Sequence, residues 1–572
     1  MGCRPSQDQP MRNEENGPII AFSSVALAAF VAVALIHLAG AFTPVPTELS
    51  WNPITLAIGL ATGDPWPAAA SWLLGAEAVV VIAAFAWWST RPVSRTAEAS
   101  RRMSPGGKMR PAMVDARLTE AARLHPEAKG IGPGLTIGYA GDAGTKAVIQ
   151  GWRECSTHVW GTGRGKTTTQ VVRHALEAPG AYIMTSNKVD GVAEVLAARS
   201  ETGTVWLFDP QRIWRDSHRP AMVFNPLGIV TDTVSAGEVA SIFETSSAPS
   251  AGQGKGDAQF DSQGRDFLAW CLLAAAKSDG TMKDVLRWVS SADFMEPAEV
   301  LEPAGHKGPA SALKGMSAQP EDTRGSVAAS AQRMASALVH DELVAWSTPT
   351  PGVPVFDPTR FVTSKDTLIL LSQDNAGSGA AFVSTLVYAV FTAAQQAARH
   401  AGGRLPVPLV ADLDEVGNVV QLKQLPEWYS FFGSMGIVVS AYFQTRGQGM
   451  AMLERTGWDT LWSAAAIKVY GGGSDDTQFL ESLSKTIGQY DAKVRSSSTS
   501  RNGSSRSVQT QRRDIMSVSE LSELPANRAW VKTSNGGGAI VRTVPWFRDR
   551  TINARIGETV DRIKGQTSGT PS

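Results

Sequence analysis

Thr157-His158-Val159-Trp160-Gly161-Thr162-Gly163-Arg164-Gly165-Lys166-Thr167-Thr168 is the stretch that decides the fold. A β-branched strand end runs into a glycine-rich turn. The turn opens a helical pattern from Thr167 to Ala178, which Pro179-Gly180 stops. Strand, glycine-rich turn and helix in that order are the setting of a phosphate-binding loop. Small residues let successive backbone N–H groups wrap phosphate oxygens, and Gly163 and Gly165 supply that freedom. Lys166 is placed to reach the β- and γ-phosphates of ATP, and Thr167 to offer its hydroxyl to Mg²⁺. The candidate nucleotide-binding set is Gly161, Thr162, Gly163, Arg164, Gly165, Lys166, Thr167 and Thr168. The usual pattern has glycine at its first position, where this chain has Trp160. That residue lies at the strand-to-loop junction, so the substitution predicts a different wall beside the loop.

The partner of such a loop is an apolar strand ending in acids, and Pro408-Leu409-Val410-Ala411-Asp412-Leu413-Asp414-Glu415 fits. Asp414 is the expected Mg²⁺ carboxylate, and Glu415 the expected general base for the attacking water. Asp412 shares a strand face with Asp414 and competes for the metal role. A further strand, 436–443, ends at Gln444, a candidate γ-phosphate sensor.

Outward from these motifs, short apolar runs alternate with helical patterns (181–185, 204–208, 367–371, 465–470). That alternation predicts βαβ units and a parallel sheet. Leucine, alanine and aromatic residues at helical spacing in 260–277 and 282–289 predict an all-helical insertion. Residues 495–513 are of low complexity, with five arginines and no acid. They read as a solvated loop or hairpin tip, or as an arm that touches phosphates.

Residues 17–47 contain no Asp, Glu, Lys or Arg, and Trp66–Ser89 contains only Glu77. Two membrane-spanning helices are expected. The first is too long and too mixed in its preceding charge for a signal peptide. Six cations in 91–110 against Glu98 alone, and none in 43–65, place both termini in the cytoplasm of an inner-membrane protein. Glu77 at mid-depth reads as a hydrogen-bonding group within an oligomer. The full expected order is a tail (1–17), a span (18–41), an outer loop (42–65), a span (66–89) and a basic linker (90–130). Then come the first segment of a nucleotide-binding domain (131–234), an all-α domain (235–345), the second nucleotide-binding segment (346–550) and a tail (551–572).

With 53 basic and 53 acidic residues in 572, a globally basic nucleic-acid binder is excluded, and any such site is a local patch. Three cysteines exclude a disulfide framework.

The chain resembles the type IV coupling proteins of conjugation, the TraG/TraD class of membrane-bound P-loop ATPases. The residues that carry the resemblance are Ile183–Lys188, Phe224-Asn225-Pro226-Leu227, Leu413–Asn418, Gln444-Thr445-Arg446-Gly447-Gln448 and Arg513–Leu521 with Leu524-Pro525. It implies two N-terminal transmembrane helices and an α/β RecA-like nucleotide-binding domain with an inserted all-α domain. It also implies ATP and Mg²⁺ as cofactors and a homo-hexamer. Catalysis would rest on Glu415, Lys166 and Gln444, and metal binding on Thr167 and Asp414. A neighbouring subunit's arginine is also implied, and Arg446 and Arg455 are the candidates. The role implied is to pump relaxase-bound single-stranded DNA into a type IV secretion channel, with that channel's components as partners. An FtsK-type double-stranded DNA translocase and a nucleotide-regulated docking receptor for a secreted protein are the rival readings.

Overall fold

The computed structural model describes residues 31–39, 52, 55–56, 58, 62, 68–89, 95–103, 108–141, 144–215, 219–247, 258–373, 378–500, 503–534 and 537–568. The chain divides into two compact units, 1–98 with 141–145 and the remainder. Of the first expected span, 18–41, only 31–39 is described, and it is helical. The second expected span coincides with helix α1 (Ala68–Ser89). Val33, Ile36, Leu56 and Ala70 bury one another in this unit, while Trp72 on α1 is 85% exposed.

The larger unit is built on an eleven-stranded sheet. In chain order its strands are β1 (Leu135–Ala140), β2 (Lys146–Gln150), β3 (Ser156–Val159), β4 (Tyr182–Ser186), β5 (Val205–Phe208), β6 (Thr367–Leu371), β7 (Leu409–Leu413), β8 (Ile437–Phe443) and β9 (Ile467–Tyr470). A separate ribbon, β10 (Gln489–Ser500) and β11 (Gly503–Asp514), precedes β12 (Arg528–Thr533) and β13 (Gly538–Arg542). The spatial order is β2-β1-β13-β12-β9-β3-β8-β7-β4-β6-β5. The run from β9 to β5 is wholly parallel. Its central strands β4, β6, β7 and β8 are buried along their whole length, as a parallel sheet covered on both faces requires. β12, β13, β1 and β2 extend it antiparallel from β9. These four strands lie in segments whose sequence pattern predicts no strand.

Helices cover both faces. Short α2 (Val172–Glu177) follows the glycine-rich loop, and α3 (Val192–Arg199) follows β4. Between β5 and β6 lie α4 (Thr233–Ser247), α5 (Ala258–Lys277), α6 (Met282–Ser290), α7 (Met295–Leu301), α8 (Lys307–Ser317), α9 (Glu321–Met334) and α10 (Asp341–Ser347). No strand is found among the described residues of this block. Its starts are set locally: Thr281 and Asp284 form a reciprocal cap at α6, satisfying two N–H groups that the first turn leaves over. Phe267 and Phe294 pack with ring centres 4.2 Å apart. α11 (Ser378–His400), between β6 and β7, contains the one helix among the described residues long and apolar enough to cross a membrane. It is 72% buried inside the body, with Phe382 edge-on to Phe243 of α4. α12 (Arg446–Ala464) and α13 (Thr477–Ile487) flank β9. The expected C-terminal tail is largely a helix, α14 (Arg550–Ser568). Its Ile552, Ile556 and Val560 bury against α3 because they recur on one helical face.

Candidate functional site

In a parallel sheet the chemistry collects where strands end at their carboxyl edge. β8 lies between β3 and β7, with Val159 opposite Phe443 and Leu413 opposite Ala441. The glycine-rich loop after β3, Gln444 after β8 and Asp414-Glu415 after β7 therefore emerge side by side.

Gly163 and Gly165 take positive φ of 72° and 80°, the left-handed region that glycine enters without a Cβ penalty. Thr168 and Thr169 turn their hydroxyls back onto the Gly165 carbonyl at 3.1 and 2.8 Å. The first helical turn, Thr167–Val171, is a π-turn. Trp160 is 1% exposed, and its indole Nε1 donates to the Arg164 carbonyl at 3.1 Å. A side chain thus braces the loop where a glycine is usual. Gly161 N donates to the Gly472 carbonyl at 3.0 Å, so the turn after β9 abuts the loop. Arg164 turns toward the neighbouring loop. Its guanidinium donates to the carbonyls of Gly471 and Leu524. The run Gly471-Gly472-Gly473 is the one sequence signal for this second wall, and glycines after a strand do not by themselves say which loop they will meet.

Lys166 pairs with Asp414 at 2.9 Å and with Glu415. Burial works against its charge, but the two carboxylates outweigh it and hold the lysine pKa above its ordinary value. Asp414 is buried, and burial raises its carboxyl despite Lys166. Thr167 Oγ1 donates to Asp414 Oδ2 at 3.3 Å. A hydroxyl and a carboxylate side by side are hard oxygen donors of the kind Mg²⁺ takes. Thr185, from the neighbouring β4, donates to the Asp414 carbonyl at 2.8 Å and fixes the strand end.

Glu415 has φ of 57°. A non-glycine residue there is strained. It is held by Asn418 and Val419, whose amides both donate to its carbonyl at 3.0 Å. The twist carries its carboxylate away from β7 toward β8, where Gln444 Nε2 donates to Oε2 at 2.5 Å. Thr162 Oγ1 donates to Gln444 Oε1 at 3.1 Å. Gln448 Oε1 accepts from the Gln444 amide at 2.9 Å. Thr162, Lys166, Thr167, Asp414, Glu415 and Gln444 thus form one connected set. Arg446 lies 3.8 Å from Asp476 and Arg455 is exposed on α12.

Asp412 is no rival for the metal. It is fully buried one pleat back, and accepts from Tyr182 at 2.8 Å and Tyr442 at 3.3 Å. His174 Nδ1 stands 3.0 Å from Oδ1 and 3.2 Å from Oδ2 of the same carboxylate. Burial opposes the charge on His174, and Asp412 overcomes it to raise the imidazole pKa. This buried pair escapes sequence reading because its members lie on α2 and β7, 238 positions apart.

Residues 408–526 match the family described as the TraM recognition site of TraD and TraG. Among solved structures, unbound bacterial conjugative coupling protein TrwBdeltaN70 matches at TM-score 0.53 and 17% identity, covering 74% of this chain and 91% of its own. Plasmid coupling protein TrwB with ADP and Mg²⁺ matches at 0.51 and 16%, over 74% and 91%. The same protein with a non-hydrolysable ATP analogue matches at 0.50 and 17%, over 69% and 86%. No curated protein matches the chain. The resemblance to the TraG/TraD class is borne out by the family match over 408–526 and by the shared P-loop α/β fold.

Proposed function

We propose that this relative of the type IV coupling proteins is a membrane-anchored, ATP-hydrolysing motor that recruits relaxase-bound single-stranded DNA and drives it into a type IV secretion channel. The observation that carries the reading is the convergence of Lys166, Thr167, Asp414, Glu415 and Gln444 at three adjacent strand ends. The solved TrwB structures hold an ATP analogue or ADP with Mg²⁺, and the same ligands suit this site.

Lys166 would exchange its carboxylate partners for β- and γ-phosphate oxygens. Thr167 and Asp414 would hold Mg²⁺, which supplies neutralisation of phosphate charge. Freed from Lys166, Glu415 would be the base that takes a proton from the attacking water. Gln444 holds that carboxylate from one side and Thr162 of the loop from the other, so it can register what occupies the loop. Two spans at 18–41 and 66–89 would anchor the chain in the inner membrane with the motor cytoplasmic. The exposed apolar face of α1, including Val79, Val80 and Ile82, supports that placement. A homo-hexameric ring, with the channel's components at its mouth, completes the reading.

The test is ATP hydrolysis by detergent-solubilised full-length protein without DNA, with single strands and with duplex. Stimulation mainly by single strands, abolished in Lys166→Ala and Glu415→Gln, is expected. Stimulation mainly by duplex would favour an FtsK-type pump. The description of 408–526 as a TraM recognition site favours one second reading, docking of a protein partner on that region. Turnover indifferent to all DNA but altered by a cargo protein would select it.

A further inference from the structure

The arginine-rich segment is a ribbon. β10 and β11 pair antiparallel without a bulge from Gln489↔Asp514 to Ser500↔Gly503. Twelve residues per strand give it a length of about 40 Å. In an antiparallel pair, residues directly opposite share a face and alternate residues share it along each strand. The register therefore sorts the sequence. One face carries Lys493, Arg495, Arg506 and Arg512, with Asp491 and Asp514 at the root. The other carries Tyr490, Ala492 and Val494 at its root, then Ser496, Ser498, Ser505, Ser507 and two glutamines, with Arg513 as its one cation. No Asp or Glu occurs from 492 to 513. At the root, Gln489 occupies Asp514 at 2.9 Å, and Arg512 and Thr510 are exposed.

Two further observations point to a ligand. A two-stranded ribbon is marginal in water by itself, and beyond Val494 this one has no apolar face, only polar and cationic residues with the single Val508. The chain on either side of it also reaches the nucleotide loop. β9 is parallel to β3 and ends with it, Tyr470 opposite Val159. From there α13 leads to the ribbon, whose root closes by Ile515 N to Gly488 O at 3.0 Å. The returning chain is clamped by Ser484 on the Met516 carbonyl and Tyr470 on the Leu521 carbonyl, at 2.6 and 3.3 Å. Three residues beyond Leu521, Leu524 accepts from Arg164 of the loop.

We propose that the ribbon face bearing Lys493, Arg495, Arg506 and Arg512 binds the phosphodiester backbone of nucleic acid, single-stranded in the motor reading on which this rests. Successive same-face positions lie about 7 Å apart along a strand, a ladder of cations for a linear polyanion. The tip, Ser498 to Ser505, is polar throughout. It has none of the aromatic or aliphatic residues that would favour seating in a bilayer. Arg164 of the loop bonds Leu524 in the segment that follows the ribbon.

The experiment measures binding of fluorescent oligo-dT and of a duplex to detergent-solubilised full-length protein by anisotropy over a salt series. Lys493→Gln, Arg495→Gln and Arg506→Gln together should weaken oligo-dT at least about tenfold and lower the salt slope by about 2, at roughly 0.7 per lost phosphate contact. Basal ATP hydrolysis without DNA should be unchanged. If the triple variant loses basal hydrolysis, the single Arg495→Gln and Arg506→Gln variants replace it, each expected to lower the slope by about 0.7. A variant of equal charge, with these three neutralised and Val494→Lys, Ser496→Arg and Ser505→Arg added, should bind as weakly as the triple. Wild-type binding with an unchanged slope in the neutralised variants would overturn the ribbon proposal and leave the DNA motor standing. Full binding by the equal-charge variant would overturn the face assignment. Loss of binding to phosphatidylglycerol vesicles but not to DNA would make the ribbon a membrane contact instead. No DNA binding by wild type would sink the motor reading and this proposal together.

Discussion

Glu415 sits in left-handed backbone and is bonded by both Lys166 and Gln444. Strain of this kind persists only where surroundings enforce it, and here it aims one carboxylate out of its strand. Glu415→Gln keeps the shape and removes the base. Nucleotide binding should survive while single-turnover hydrolysis falls about 10²–10⁴-fold. Equal losses in both would assign Glu415 to binding. Trp160→Phe retains most of the packing but leaves the Arg164 carbonyl without the indole donor. It should cost about 1–3 kcal/mol, read in thermal melts, with nucleotide affinity reduced in parallel. His174 faces Asp412, Glu177, Tyr182, Tyr442 and His158, and its pKa is raised above 6.5. A raised imidazole stabilises fully below its unfolded value, and that stabilisation drains away as pH climbs through the folded value. The melting temperature should therefore fall as pH rises from 6.5, and fall less in His174→Gln. Glu177, also raised by burial, acts in the same direction from 4.5 upward and is itself lowered by His174, so the difference between wild type and variant reads the coupled pair.

At the scale of elements, two loops share one wall. A Cβ on Gly161 would stand 2.7 Å from the Gly473 carbonyl oxygen and 3.0 Å from that of Gly472. Gly161→Ala should push the β3 and β9 loops apart and weaken nucleotide binding about tenfold while the sheet still melts cooperatively. Unchanged affinity by titration with a fluorescent nucleotide would show that the contact does not shape the site. The strands feeding the site are readable because their signals are local: buried parallel strands are unbroken apolar runs, as in Leu368 to Leu371 or Ile437 to Val439. β1 and β13 are not, since Leu135–Ala140 and Gly538–Arg542 are short, glycine-bearing and paired with each other across some 400 positions. The ribbon is legible only in part, as a loop or hairpin tip over 495–513. Serine and arginine give no apolar alternation to mark strands, so only its register separates the two faces. The roles of Trp160 and Asp412 depend on neighbours far away in sequence, the triple glycine after β9 and the histidine on α2.

At the scale of the whole molecule, the membrane reading makes a directional prediction. In sealed inverted and right-side-out vesicles, with Cys3→Ser as background, Ser50→Cys in the loop 42–65 should react with an impermeant maleimide only from outside. Ser94→Cys should react only from the cytoplasmic side. The reverse pattern, or both from one side, would overturn two spans.

The lysine of the loop faces two carboxylates at once, one cation against two potential anions. Taken with those groups ionised, the pocket would repel a bare triphosphate. A bare triphosphate would add its own negative charge to theirs, whereas a triphosphate that arrives already carrying a divalent ion would not. Chelation should thus abolish capture itself and not merely turnover, which equilibrium binding with and without EDTA reads directly. A chain with this arrangement would discriminate, before any chemistry, between metal-laden nucleotide and free nucleotide in the surrounding pool.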